Sequence, residues 1–165
     1  RDPLTGLCSR AFLDDELPTL AEHCEHAGVP FSCAFVDIDR FKEINDQHGH
    51  QTGDEVLAGC ARILMLGVRD ADPCVRYGGE EVLMFLPGST EDSAAEVAER
   101  LRRAIAGHDW ARTATRLKVT ACFGVAQRGA GESIKSWIGR ADKAVYAAKR
   151  AGRNRVERAQ PHAPD

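Results

Sequence analysis

Two acidic residues stand where the backbone would hold a carboxylate rigidly. Asp37 ends the apolar run FSCAFVD, which is typical of a buried strand, and Glu80 lies in the turn GGEE between two further apolar runs. If both carboxylates face one site, they suit a hard cation such as Mg²⁺, which takes few protein oxygens and keeps several water molecules. The alternative is that Asp37 only ends a strand and Glu80 only occupies an exposed turn, and spacing alone does not decide between them.

The glycine pair before Glu80 also has two interpretations. Gly78 and Gly79 either only supply positive φ for a hairpin turn or also let a phosphate group approach the main chain closely. The sequence contains neither G-x-x-x-x-G-K-[ST] nor G-x-G-x-x-G. A P-loop and a dinucleotide-binding fold are therefore excluded as explanations.

Composition indicates one domain with a single core. The chain has 165 residues, 43% of them hydrophobic, and a formal net charge of -3. No apolar run approaches a membrane span of about 20 residues, and no basic field favours nucleic acid. We expect a cytoplasmic domain with no nucleic-acid partner and no membrane contact of its own. Because the chain opens on Arg1 without a signal peptide, we expect it to belong to a longer protein. This expectation includes the case in which the longer protein is anchored in a membrane.

The cysteines and histidines do not predict a metal site. The six cysteines are widely spaced and lack a C-x-x-C pair, so we expect them to be reduced and buried. The cluster HCEH at residues 23–26 has no second Cys/His pair at zinc spacing, which argues against a zinc site.

Hydrophobic periodicity predicts the elements that would position the acidic residues. Ser9 is expected to cap a helix that Pro18 kinks and Gly28 ends, and Ser89 or Thr90 to cap a later helix. The other expected elements are a strand at 31–37, helices at 41–46 and 52–68, a hairpin of 74–77 with 82–86, a strand at 117–126, a helix from 133 to Gly152, and a strand at 154–157. This mixed order predicts an α/β (α+β) fold with a mainly antiparallel sheet in one domain, residues 1–158, followed by a polar tail, residues 159–165.

Four segments resemble successive motifs of the GGDEF family. They are RDPLTGLCSR, FVDIDRFKEINDQHGHQTGDEVL, RYGGEEV and ADKAVYAAKRAGRN, and they occur in family order over nearly the whole chain. The resemblance implies a central antiparallel sheet wrapped by helices, similar to the nucleotidyl-cyclase core and the polymerase palm. It also implies diguanylate cyclase activity, in which a homodimer condenses two GTP molecules into cyclic di-GMP and releases pyrophosphate.

The resemblance assigns the metal and the chemistry to the acidic residues already noted. It implies that Asp37, the carbonyl of Ile38, and Glu80 hold Mg²⁺, or Mn²⁺ in its place, with Glu81 as a further acidic group. Glu80 and Glu81 are the implied catalytic residues. The chemistry needs such a site, because a 3′-hydroxyl must attack an α-phosphate while metal ions neutralise the developing charge.

The resemblance also assigns the nucleotide contacts. Guanine recognition falls on Asn45 and Asp54 with His50 nearby, and a carboxylate suits guanine because it accepts from N1–H and the exocyclic amine together. The alternatives are helix capping for Asn45 and an ordinary acidic group early in a helix for Asp54. The residues implied for the triphosphate are Lys42, Gly78, Gly79, Lys149 and Arg153.

A second site is implied for the product. Arg69 and Asp72 form the R-x-x-D unit at which many family members bind cyclic di-GMP and are inhibited, and Arg100 matches a further product-binding arginine. An Arg fork can bind guanine O6 and N7, and Asp can accept from N1–H and the amine. The alternative is a surface ion pair that contributes little to stability.

The sequence departs from the family pattern at two positions. Val82 replaces the usual Phe after GGEE, and Cys8-Ser9 replaces the usual end of the first motif. The main rival hypothesis is a catalytically silent domain that senses GTP or cyclic di-GMP. A palm-like polymerase is a third, but the chain lacks the basic surface that template binding requires. Because the chain has no long heptad helix, we expect an upstream sensor and helical linker to bring two domains together.

Overall fold

A computed structural model describes residues 1–164 of the chain, and residue 165, the last residue of the expected polar tail, lies outside the described residues. Five strands form one sheet. They are β1 (Phe31–Ile38), β2 (Cys74–Arg76), β3 (Glu81–Pro87), β4 (Ala121–Gln127) and β5 (Arg155–Arg158). Their order is β2-β3-β1-β4-β5, and every pairing is antiparallel except the parallel β4–β5 pair. The expected mainly antiparallel sheet surrounded by helices is confirmed.

Helices cover both faces of the sheet. They are α1 (Phe12–Asp15), α2 (Leu17–Ala27), α3 (Phe41–His48), α4 (His50–Leu66), α5 (Glu91–Gly107) and α6 (Ile134–Arg150), with one 3₁₀ turn at Trp110–Arg112. One core contains Leu64 of α4 and Leu101 of α5. The other contains Leu17 of α2 and Trp137 of α6. All eight residues of β1 are buried between these cores, which explains why its sequence is a continuous apolar run.

Local capping and proline chemistry explain where several helices begin. Thr90 Oγ1 accepts from Ser93 N, so the cap expected at Ser89 or Thr90 is confirmed. Ser133 Oγ likewise accepts from Ser136 N and caps α6. The kink expected at Pro18 is wrong, because the helix is broken before it. Pro18 lies in the first turn of α2, where a missing N–H leaves no hydrogen bond unmade.

Two other local predictions are wrong. The Ser9 side chain does not cap a helix: α1 begins after Ala11 without a side-chain cap, and Ser9 supplies only its carbonyl oxygen to Phe12 N. The strand expected from Leu117 begins only at Ala121, because residues 117–120 have an irregular backbone, although Leu117 and Val119 are buried.

The structure also bears on the cysteines and on membrane insertion. All six cysteines are free, and five are buried, whereas Cys8 is half-buried. Burial raises the pKa of Cys60 to about 12, so its thiol stays protonated at neutral pH. None of the helices within residues 1–164 has the length and apolar character needed to cross a membrane.

Candidate active site

Acidic groups lie together at the C-terminal end of β1, the central strand of the sheet. Asp37 is 5% exposed and lies opposite Glu81 in the β1–β3 ladder. The backbone of Glu80 accepts a hydrogen bond from Ile38 N at 3.3 Å. The hairpin turn therefore brings Glu80 and Glu81 against the last residues of β1, because the register of the sheet fixes the alignment of these strands.

One lysine from another element balances part of this negative charge. Lys149, in the last turn of α6, has its Nζ 2.7 Å from Asp37 Oδ2. Burial alone would lower the pKa of Lys149, but its hydrogen bond and attraction to Asp37 raise it. The lysine is therefore a fixed positive charge beside the strand-end carboxylate.

The acidic groups nevertheless disfavour one another's ionised forms. Burial raises the pKa of Asp37, Lys149 opposes this, and the charges of Glu80 and Asp39 raise it further. Burial likewise raises the pKa of Glu81, as do the charges of Asp37, Asp142 and Glu80. Such a cluster gains stability from additional positive charge.

The donor chemistry of this cluster suits a magnesium ion. Within residues 1–164, no group of three or more His, Cys, Asp or Glu side chains is arranged to hold a metal ion. Two carboxylates and a backbone carbonyl are nevertheless enough for Mg²⁺, which completes its octahedron with water and substrate phosphate oxygens. Asp37, Glu80 and the carbonyl of Ile38 are the oxygen donors that would provide such a set.

The two glycines of the turn matter for the space beside them rather than for an unusual backbone conformation. Neither Gly78 nor Gly79 has a positive φ, so the expected role in supplying positive φ is wrong. A Cβ on Gly78 would lie 2.1 Å from Glu81 Oε1, whereas a Cβ on Gly79 would meet nothing within 4 Å. Gly78 makes room for the Glu81 carboxylate, and Gly79 leaves open surface beside the acidic cluster.

Asn45 and Asp54 lie on two consecutive helices. Asn45 is on α3, Asp54 is exposed on α4, and His50 is the first residue of α4. Asn45 Oδ1 is buried and has no hydrogen-bond partner within residues 1–164. Its side-chain oxygen therefore caps no helix there. A buried acceptor without a donor is costly, and a ligand N–H would satisfy it.

The basic residues expected at the triphosphate lie on three different segments. Lys149 contacts the acidic cluster directly. Lys42 is exposed in the first turn of α3, and Arg153 is half-buried in the turn between α6 and β5, with φ 65°. Lys149 and Arg153 are four residues apart, so the last turn of α6 and the turn that follows it supply two of the three expected cations.

Asp39 fixes this turn to the end of β1, a role that sequence reasoning missed. Its Oδ2 accepts from Thr120 Oγ1 at 2.6 Å and from Asn154 N at 2.9 Å. Its Oδ1 accepts from Cys122 Sγ at 3.0 Å. The carboxylate thus joins β1, the residue before β4 and the turn that carries Arg153. The alternation D-x-D at the end of a strand was the available signal, because residues i and i+2 share a face.

The R-x-x-D unit forms a closed, satisfied pair. Arg69 donates to both carboxylate oxygens of Asp72 at 3.1 and 3.0 Å, and to the carbonyl of Pro87 at 2.7 Å. Asp72 is 7% exposed, so the expected weak surface ion pair has one buried partner. Arg100 donates to the carbonyl of Gly67, which brings it to the same region. Arg69 and Asp72 also line a cavity of about 180 Å³.

The departure at Val82 lies in the core rather than in the acidic cluster. Val82 is 7% exposed, pairs with Val36 across β1, and belongs to the same core as Met84. The expectation that its side chain serves packing is confirmed. The replacement of Phe by the smaller Val therefore removes neither of the neighbouring carboxylates, Glu80 and Glu81.

Comparison with known proteins gives consistent family and fold matches. The sequence profile described as "Diguanylate cyclase, GGDEF domain" matches residues 1–155. Response regulator PleD of Caulobacter vibrioides (strain NA1000 / CB15N) is 40% identical over 158 residues, which cover 94% of this chain and 35% of the relative. The chain thus spans about a third of the length of this curated relative.

Two solved structures have closely similar folds. The GGDEF domain of DgcB from Caulobacter crescentus in complex with c-di-GMP has a TM-score of 0.91 and 38% identity, covering 97% of this chain and 93% of that one. The active GGEEF domain of a diguanylate cyclase from Vibrio cholerae has a TM-score of 0.88 and 34% identity, covering 94% and 99%.

Proposed function

Since the chain belongs to the GGDEF domain family, we propose that it is a diguanylate cyclase that joins two molecules of GTP into cyclic di-GMP and releases pyrophosphate. The observation that carries the proposal is the acidic end of β1. There Asp37 and Glu81 are opposed in register, Glu80 adjoins Ile38, and Lys149 supplies the balancing charge. A domain that only sensed nucleotide would not require this concentration of mutually repelling carboxylates.

Magnesium is the cofactor we assign to this cluster, with manganese as a substitute. Asp37, Glu80 and the carbonyl of Ile38 would hold the ion, with Glu81 beside them. When bound there, it would neutralise phosphate charge and lower the pKa of the attacking 3′-hydroxyl. The raised pKa values of Asp37 and Glu81 support this assignment, because carboxylates that repel each other gain most from a cation.

The chain's own residues would orient the nucleotide. Asn45, whose buried Oδ1 has no donor among residues 1–164, and Asp54 would accept hydrogen bonds from the guanine edge, with His50 nearby. Lys42, Lys149 and Arg153 would contact the triphosphate, and the open surface at Gly79 would let phosphate oxygens approach the turn. Adenine lacks the N1–H and amine pair of donors, so the site should reject ATP.

Proton transfer from the 3′-hydroxyl falls to the acidic turn. Glu80 is the proposed general base, and Glu81 stands next to it with a raised pKa. Lys149 would then stabilise negative charge on the phosphate oxygens, as a fixed cation does in other phosphoryl-transfer sites.

The reaction requires two domains. Each site would hold one GTP, so two copies must face each other with their nucleotides antiparallel. An upstream segment of the longer protein would supply this proximity, since linking two modules raises their effective concentration. The product would also bind at Arg69, Asp72 and Arg100 and inhibit the enzyme. The DgcB structure in complex with c-di-GMP supports product binding by such domains.

The test is product formation by the purified chain fused to a parallel coiled coil, which removes weak dimerisation as a cause of failure. The fusion is incubated with GTP and Mg²⁺, and cyclic di-GMP is followed by chromatography beside samples that contain ATP or EDTA. We expect product only with GTP and metal. Nucleotide binding without any product from the fusion would contradict the proposal and favour a silent sensor domain.

A further inference from the structure

Gly53 lies inside α4 where nothing in its own backbone calls for glycine. It is the fourth residue of the helix, is buried, and does not have a positive φ. Its N–H donates to the carbonyl of Gly49 in an ordinary helical bond at 3.1 Å. Glycine is less favourable than alanine inside a helix, so the helix alone does not explain this residue.

The space beside Gly53 is filled by the side chain of Asn45. A Cβ at position 53 would lie 1.8 Å from Asn45 Oδ1 and 3.0 Å from its Cγ, and 3.3 Å from the ring of Phe41. The first contact is shorter than packed atoms tolerate, and the other two are tighter than most contacts of a Cβ atom. The conflict is steric, so it holds for either orientation of the Asn45 amide.

We propose that Gly53 is a positioning residue for guanine recognition: its missing side chain is what lets the Asn45 carboxamide lie against α4 and face the base. This inference rests on the proposed function, because it assumes that Asn45 contacts guanine. Asn45 Oδ1 is buried and has no hydrogen-bond partner in the part of the chain that the structure describes. The arrangement therefore serves a group that arrives from outside the chain.

The proposal predicts that a side chain at position 53 weakens guanine binding without lowering the stability of the fold. In a Gly53→Ala variant the Asn45 side chain must turn away, but it gives up no hydrogen bond of its Oδ1 in doing so. The helix meanwhile gains a better helix former. We expect the unfolding temperature to be no lower than that of the wild type, while the guanine contact is lost.

The experiment compares the affinities of GDP and ADP, with Mg²⁺ present, for the wild type and Gly53→Ala. GDP is the probe because it carries the base but cannot be condensed with loss of pyrophosphate. We expect GDP to bind roughly tenfold more weakly to the variant, the cost of about one hydrogen bond, and ADP affinity to be unchanged. General damage to the domain would instead weaken both nucleotides.

Gly139→Ala is the matched control. Gly139 also lies inside a helix, α6, and a Cβ there would meet nothing within 4 Å. We expect this variant to keep the wild-type preference for GDP over ADP. An equal loss of GDP affinity in both glycine variants would overturn the proposal.

A double-mutant cycle with Asn45→Ala tests whether Gly53 acts through Asn45. Once Asn45 is removed, Gly53→Ala should weaken GDP binding no further, because contacting residues are not additive. If the wild type prefers GDP but Gly53→Ala leaves that preference intact, the role of Gly53 is wrong and the guanine site stands. If the wild type does not prefer GDP over ADP, the guanine site itself is wrong.

Discussion

Two buried carboxylates in this fold have opposite surroundings. Glu132, before α6, is 2% exposed and accepts four hydrogen bonds, from Gly129 N, Ser136 Oγ and two nitrogens of Arg140. Burial alone would raise the pKa of Glu132, but these partners outweigh it and lower the pKa to about 2. Its charge is fully compensated inside the chain.

Asp37 is buried to a similar extent but is only partly compensated. It has one cation, Lys149, and two neighbouring acids, Glu80 and Asp39, whose charges raise its pKa. Glu132 therefore holds the fold together, whereas Asp37 retains bonding capacity for a ligand. The comparison indicates that a buried acid whose charge is only partly compensated, rather than burial itself, marks the proposed active end of this sheet.

The largest expected effect is on catalysis, from Glu80→Ala. This variant removes a proposed metal ligand and base, so we expect the rate of cyclic di-GMP formation by the coiled-coil fusion to fall by at least roughly a thousandfold. Thermal unfolding should change little, because Glu80 adds repulsion to the cluster. A variant that kept a tenth of the activity would remove Glu80 from the mechanism.

The next largest effect is on stability, from Arg140→Ala. The change leaves Glu132 as a buried charge without its main partner, and also removes bonds to the carbonyls of Gln127 and Gln160. We expect urea denaturation to show a loss of about 3–5 kcal/mol. A loss below about 1 kcal/mol would mean that the hydrogen bonds between Arg140 and Glu132 do not hold the fold together.

The two acids should respond to pH with opposite signs. The stability that Glu132 provides is present above its ordinary pKa of 4.5 and is lost as pH falls through about 2. The pKa of Asp37 is raised, so its contribution is present below 3.8 and is lost as pH rises through the raised value. In denaturation series from pH 2 to 7, Glu132→Gln should flatten the acid loss, on the order of 3 kcal/mol, and Asp37→Asn should remove a loss on the neutral side.

The smallest expected effect separates the two turn glycines. Gly79→Ala meets no atom of the free protein, so stability should be unchanged, while KM for GTP should rise by roughly fivefold if phosphate passes over this surface. Gly78→Ala displaces the Glu81 carboxylate and should lower kcat instead. Steady-state kinetics of the two variants distinguish these outcomes. Identical kinetic changes would remove the distinction between the glycines.

The parts of the molecule that sequence predicted are those that local patterns control. The continuous apolar run predicted a buried β1 ending at Asp37, and periodicity predicted α3 to α6 within a few residues. The role of Asp39 was missed because it depends on groups brought together by folding. Asp39 bonds to Thr120 and Asn154, which lie 81 and 115 residues away along the chain.

The turn glycines show a second limit of local patterns. A glycine pair between two strands usually indicates positive φ. Here neither glycine has a positive φ, and what matters is the space beside each residue. The Glu81 carboxylate occupies the space beside Gly78, and Gly79 borders open surface. Neither feature can be predicted before the turn is folded. Gly53 beside Asn45 is a further case of the same kind.

The most direct test of this account exchanges each acid for its amide and measures two quantities on both variants. Asp37→Asn and Glu132→Gln each remove one buried charge and keep the side-chain shape. Cyclic di-GMP formation from GTP and Mg²⁺ by the coiled-coil fusion, and its free energy of unfolding, are measured for each. We expect Asp37→Asn to lose activity while staying within about 1 kcal/mol of wild-type stability, and Glu132→Gln to lose about 3 kcal/mol while keeping activity below its unfolding temperature. Full activity in Asp37→Asn would contradict the account.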